Sequence, residues 1–197
     1  PLGAPPREYN YPKLSPDGTR VAVEIRAEGG RDIWIWDIRR RVLEPFAVDP
    51  ADDQLPEWAP DGSRIAFANT AAGLPRLFIQ RADGTGRAEP LADRQRLNQA
   101  MTFGPQGELI FSEIVPQQER DLMRFVSGTS GPIETLIGGL KSQGTAHVSP
   151  DGRWIAYDAD DSGQFEIYVR PYPRTNDGRW RISTSGGRQP LWSPSGR

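Results

Sequence analysis

A four-residue punctuation mark returns along this chain at a nearly constant interval, and few folds accommodate that constraint. Ser15-Pro16-Asp17-Gly18 recurs as Ala59-Pro60-Asp61-Gly62, Gly104-Pro105-Gln106-Gly107, Ser149-Pro150-Asp151-Gly152 and Ser193-Pro194-Ser195-Gly196, at steps of 44 or 45 residues. Proline at the second position fixes φ, aspartate tolerates the third, and glycine closes the turn. Each copy therefore predicts a type I turn between two strands. A large apolar residue precedes every copy: Leu14, Trp58, Phe103, Val148 and Trp192.

The residues between the tetrads repeat as well. Apolar-rich stretches at 21–23, 65–67, 109–111 and 155–157 predict a strand after each turn. A third strand begins at Ile33, Leu77, Leu122 and Ile167, each 18 residues beyond the first tetrad position. Its middle residue is Trp34, Phe78, Met123 or Tyr168, a wedge suited to stacked sheets. A more variable fourth strand follows near 42–48, 88–92, 133–137 and 180–183. Four strands in 44 or 45 residues is the repeat of a β-propeller blade. A sheet apolar on both faces cannot stand alone, so the repeats must stack, with the strand before each tetrad innermost.

The expected fold is therefore all-β, with complete blades at 10–53, 54–98, 99–143 and 144–187. Residues 1–9 read as the outermost strand of one incomplete blade, and 188–197 as the inner strand and turn of another. That pattern predicts part of a larger ring of about six blades. Composition agrees. Twenty-one Gly and 19 Pro in 197 residues are too many for a helical bundle and too few for collagen. With 36% apolar and 9% aromatic residues the chain is not a disordered linker either.

The fullest copies, Trp-Ser/Ala-Pro-Asp-Gly-x-x-Ile-Ala-Phe/Tyr, resemble the WD40-like (PD40) repeats of TolB-type propellers, and the resemblance spans essentially the whole chain. Two stretches, YPKLSPDGTRVAVEIR from Tyr11 and SPDGRWIAYDADDSGQFEIYVRPYP from Ser149, are similar to the propellers that follow the kinase domain in many bacterial Ser/Thr kinases. The resemblance implies a sensor or interaction domain. The third copy departs from the pattern, with Gln106 for Asp and Phe103-Gly104 for Trp-Ser, and the fifth has Ser195 for Asp.

Charge and composition exclude several chemistries. Twenty-four basic and 26 acidic side chains give a net charge of −2, with no basic excess for nucleic acid. Arg39-Arg40-Arg41 reads as an exposed turn, since it has no interleaved aromatics. No apolar run approaches the roughly 20 residues of a membrane helix. There is no cysteine, so thiol catalysis, disulfides and cysteine-held zinc are excluded. The single histidine, His147, sits in a variable inner-strand row with Lys13, Glu57, Thr102 and Leu191, and no GxSxG string accompanies it. The acidic run from Asp158 to Gly163 reads as a hairpin turn, because Val169 stands where a calcium loop needs its bidentate carboxylate. No motif asks for a cofactor.

The place for a ligand or protein partner is the loop face at the mouth of the expected channel. Asp49, Asp52 and Asp53 occupy one inter-blade loop, and Asp93, Arg94 and Arg96 the next. Asn10, Gln54, Gln99, Gly144 and Arg188 share one register position at the inner strand's entrance and predict a polar rim. The expected function is a non-catalytic binding module of a larger bacterial protein. The alternative is the substrate-gating propeller of a prolyl-oligopeptidase-type hydrolase. Open blade edges also predict self-association.

Overall fold

The computed structural model describes residues 3–27, 29–48, 50–71, 73–91, 98–114, 120–125, 132–139, 141–193 and 195–196, without the side chains of Ala27 and of residues 98–101. Sixteen strands and no helix occur among the described residues, so none holds a helix long and apolar enough to cross a membrane. The strands form four antiparallel sheets of four, each a meander of consecutive strands. The chain divides into two compact units, Pro1–Leu97 and Asn98–Arg197, with two sheets in each.

The first unit holds β1 (Tyr9–Leu14), β2 (Arg20–Ala27), β3 (Gly30–Asp37) and β4 (Val42–Ala47), then β5 (Asp53–Trp58), β6 (Arg64–Asn69), β7 (Arg76–Arg81) and β8 (Glu89–Pro90). Both faces of its middle strands are apolar, so one sheet lies on the other. Ala22, Ile33 and Phe46 of the first blade bury against Trp58, Ile65 and Phe67 of the second. Phe46 meets Phe67 edge-on at 6.2 Å, and Phe67 stacks on its cross-strand partner Phe78 at 6.0 Å.

The second unit repeats that plan. It contains β9 (Asn98–Phe103), β10 (Leu109–Ile114), β11 (Arg120–Phe125) and β12 (Ile133–Ile137), then β13 (Gln143–Val148), β14 (Trp154–Ala159), β15 (Glu166–Pro171) and β16 (Trp180–Arg181). Ile110, Leu122 and Ile137 pack against Ile155, Tyr157 and Tyr168. Tyr157 and Tyr168 pair across strands and stack at 5.8 Å, in the register that Phe67 and Phe78 occupy.

The tetrads are the predicted turns. In all five, the glycine N–H donates to the carbonyl of the first tetrad residue at 2.8–3.0 Å. These glycines lie at φ of 68–81°, a region closed to most side chains. The tetrad aspartate organises the turn further. Asp17 Oδ1 accepts the Ser15 hydroxyl at 2.6 Å and the Thr19 N–H at 3.0 Å. Asp151 likewise accepts the Ser149 hydroxyl and both the N–H and Nε of Arg153. The Ser15 hydroxyl then pulls the Asp17 carboxyl down to about 2, and the Ser149 hydroxyl does the same to Asp151.

The third copy differs for a visible reason. Its turn is one residue shorter, so Phe103 pairs with Leu109 where Trp58 pairs with Ile65. Glu108 takes over the missing aspartate's work, accepting the Gln106 N–H at 2.9 Å. Any Cβ at position 104 would overlap that carboxylate, which is why glycine stands there instead of serine.

In two copies the tryptophan before the tetrad joins successive repeats. Trp58 donates its indole N–H to the Lys13 carbonyl at 3.0 Å, and Trp192 donates to the His147 carbonyl at 2.9 Å. Lys13 and His147 hold the same repeat position, two residues before a tetrad. Arg20 lies over the Trp58 ring at 4.7 Å and donates to the Ala82 carbonyl at 2.9 Å. Trp192 occupies this seat although residues 188–193, 195 and 196 form no strand. An inner strand makes its ladder with the strand after its own tetrad, and no such partner pairs with these residues.

Two outcomes test this account. Trp58→Phe keeps the ring but loses the indole donor, so chemical denaturation is expected to show a loss of about 1–2 kcal/mol. A carboxyl titration by NMR is expected to place Asp17 and Asp151 at about 2. Their folded pKa is depressed, so their stabilisation is complete above the unfolded carboxylate value and disappears as pH falls toward 2.

Candidate functional site: the polar rim at the loop end

Each inner strand carries an irregularity at the end opposite its tetrad. The ladder slips between Asn10 and Lys13, between Gln54 and Glu57, and between Gln143 and Ala146. At two of these positions the bulge contains a non-glycine residue of positive φ, and the same conformation returns after Arg188, outside any strand. These are Tyr11 at 48°, Leu55 at 55° and Gln189 at 54°, each four residues before its tetrad. Such conformations are costly and need something to hold them.

Buried carboxylates from the preceding blade supply the hold. Glu24 in β2 is 2% exposed and accepts the backbone N–H of Leu55. Asp158 in β14 is 3% exposed and accepts the Gln189 N–H at 2.8 Å. Glu24 and Asp158 occupy the same repeat position, and each pins the bulge of the following inner strand. Burial pushes both carboxyls above their usual range. Arg31 and the Leu55 N–H oppose that shift at Glu24, and the Gln189 N–H and Arg188 oppose it at Asp158.

The predicted rim residues lie around these latches. In the first unit Asn10 pairs with Glu24 along the β1–β2 ladder. Asp52 is a hub: its Oδ1 accepts the Arg31 N–H at 3.0 Å, its Oδ2 accepts Gln54 Nε2 at 3.2 Å, and its own N–H donates to Thr70 Oγ1 at 3.0 Å. Arg31 Nε stands 3.8 Å from Glu24. Glu24, Arg31, Asp52 and Gln54 therefore form one polar cluster across the two blades. Asp53 is 1% exposed and accepts Asn69 Nδ2 at 2.8 Å, so it faces inward.

In the second unit Gln99 lies in β9 opposite Ser112. Gly144 is buried, and a Cβ there would overlap Asp158 Oδ1. Arg188 covers the Phe165 ring at 3.6 Å. Arg94 and Arg96, with Asp49 and Asp93, lie outside the described residues.

Other sequence candidates have structural employment. His147 pairs with Ala156 and lends its carbonyl to Trp192. Of the run Asp158–Gly163 expected as a hairpin turn, only 160–163 make it, closed by Gly163 N–H to the Asp160 carbonyl at 2.8 Å. Asp158 and Ala159 instead continue β14, paired with Ile167 and Glu166. Arg40 sits in its turn and pairs with Glu44 at 3.0 Å. The first unit offers hydrogen-bonding groups from Asn10, Gln54 and Arg31, and the second offers Arg188. Its buried carboxylates already receive donors, so their role is to hold backbone. Sequence reading missed Glu24, Asp158 and Arg31, although an acid at one fixed offset inside an apolar strand was visible.

Against known proteins, the family model described as "PD40: TolB beta propeller domain" matches residues 6–195. No curated protein matches the chain. Among solved structures it is similar to a protein assigned as TolB from Agrobacterium tumefaciens, with TM-score 0.80 and 22% identity over 98% of this chain and 68% of that one. TolB from Acinetobacter baumannii gives TM-score 0.80 and 19% identity over 96% of this chain and 47% of that one. A prolyl endopeptidase gives TM-score 0.64 and 14% identity over 90% of this chain but only 29% of its own. At these identities the structural likeness establishes fold.

The latches make a pH prediction. Glu24 binds its proton more tightly in the folded state than in the unfolded chain, because its folded pKa is raised. Its contribution to stability therefore declines as pH rises from the ordinary carboxylate range through the folded value. In denaturation midpoints measured across that window, Glu24→Gln is expected to flatten the decline. An unchanged slope would mean that Glu24 is not the titrating group.

Proposed function

The chain belongs to the TolB β-propeller domain family, and on that premise we propose that it is a non-catalytic, sensor-type binding module of a larger bacterial protein. It takes a small ligand or a protein partner on the loop end of its blades. One observation carries this reading. Non-glycine residues of positive φ recur directly after Asn10, Gln54 and Arg188, and bulges at sheet edges re-aim neighbouring side chains. Backbone strain kept at one register in three of the five copies is strain with a use. The proposed contact residues are Asn10, Gln54 and Asp52 in the first unit, with Asp53 behind them as a support, and Gln99 and Arg188 in the second, with Arg94 and Arg96 proposed from the sequence. Self-association is a second proposal, through apolar side chains exposed at Leu14, Trp180, Ile182 and Leu191.

The peptidase reading draws on the likeness to the prolyl endopeptidase fold. It assigns the same loop end to substrate gating in a parent hydrolase. A fluorophosphonate probe applied to the intact parent protein separates the two, since it labels an active serine only under the second reading. For the first, a Gln54→Ala, Arg188→Glu double variant is compared with the original chain in partner capture from a bacterial lysate. A folded double variant, checked by circular dichroism, is expected to lose at least one protein that the original chain holds. Identical capture would remove the rim from the proposal.

A further inference from the structure

A second polar site lies at the tetrad end of the second unit, away from the rim. The connection between β15 and β16 runs over 172–179, longer than its counterparts at 38–41 and 82–88. It folds back against β11 and β12 of the preceding blade, and together they line an open cleft of about 330 Å³. That volume is at the small end of ligand pockets.

The wall of the cleft is fixed in advance. Thr175 is buried, and its hydroxyl donates to the Leu136 carbonyl at 2.8 Å. Arg170 Nη1 donates to the Thr175 carbonyl at 2.9 Å, and the Tyr172 hydroxyl donates to Glu108. Within the connection, the Asp177 N–H donates to the Arg174 carbonyl at 3.1 Å, holding those two residues across one turn. A braced wall of this kind loses little conformational freedom when something binds.

The charges of the lining select the ligand. Arg124 is matched by Glu134 at 2.8 Å and adds no net field. Arg174 and Asp177 are exposed and make no ion pair with a described residue, and the Asn176 amide lies between them in sequence. A simple anion would be drawn to Arg174 and repelled by Asp177, and a simple cation the reverse. No aromatic ring lines the cleft to stack a sugar or a base. We propose that this cleft binds a small zwitterion of amino-acid or dipeptide size, its carboxylate on Arg174 and its ammonium on Asp177.

NMR titration of the ¹⁵N-labelled 197-residue chain tests this with four probes: glycylglycine, N-acetylglycine, glycinamide and glucose. Glycylglycine is expected to shift the amides of 134–136 and 174–177 saturably. Each half-blocked probe is expected to bind about tenfold more weakly, as loss of one charge-assisted contact requires. Arg174→Ala and Asp177→Asn are expected to weaken glycylglycine about tenfold each, with Arg174→Lys recovering part of the loss. Both positions are exposed, and an unchanged amide spectrum elsewhere will show that the variants fold. Equal responses to all four probes, binding of glucose alone, or variants without effect would each overturn the assignment. The result is independent of the rim, because none of these substitutions touches Asn10, Gln54 or Arg188.

Discussion

A four-stranded sheet with apolar side chains on both faces has no stable existence in water, and everything else in this molecule follows from how that surface is covered. Each sheet is one layer and becomes a core only against the next. Phe46 on Phe67, and Ile110 beside Ile155, are the same solution in two places. Burial alone leaves two sheets free to slide, since the hydrophobic effect has no direction. The indole N–H of Trp58 on the Lys13 carbonyl supplies direction, and Trp192 on the His147 carbonyl repeats it. The hydrogen bond sets the height of one inner strand against the one before it.

The carboxylate latches work at the other end of the same strands. Glu24 and Asp158 reach forward to the backbone of the next bulge, while the indoles reach back to the preceding carbonyl. β5 and the segment 188–193 are thus each fixed near both ends by polar contacts that flank an apolar centre. The carboxylates are poorly solvated there, and a lone buried charge would be strongly unfavourable. Arg31 and the bulge N–H groups offset that cost, so the strained backbone and the buried acid stabilise one another.

How much of this was legible in the sequence depends on whether a feature is periodic. The tetrads and the second and third strands were, because Ile65 and Ile155, or Phe78 and Tyr168, must occupy one register to pack. Of the fourth strands, β4 and β12 stand where the sequence put them, while β8 and β16 are shorter than expected. β8 holds two residues, Glu89 and Pro90, and a proline without an N–H cannot extend a ladder. The exchange of Ser for Gly104 looked like drift until Glu108 was seen filling the space. The rim was legible as a row of polar residues but not in its commitments. Nothing in the letters told that Asp53 faces Asn69 inside the sheet, or that Asp52 would hold the Arg31 N–H. A side chain whose partner is a backbone N–H leaves no complementary residue type to read.

The two ends of the blades divide their labour on physical grounds. At the loop end each latch carboxylate receives a backbone donor, and beside it stand amide and guanidinium groups, Asn10 and Gln54 in the first unit and Arg188 in the second. A partner of either unit meets neutral amides and a guanidinium there, which favours recognition by shape and hydrogen bonding. At the tetrad end the turns are short and held by internal hydrogen bonds, to Asp17, Asp61 and Asp151 in the first, second and fourth copies and to Glu108 in the third, and they present little to bind. At 172–179, where the connection is longer than at 38–41 and 82–88, the end acquires a cleft, together with a cation and an anion that make no ion pair with a described residue. A repeat fold gains specificity where one copy breaks the rule that the others keep. In this chain the breaks are the longer connection of the fourth blade and the shortened turn of the third, and Tyr172 on Glu108 ties one to the other.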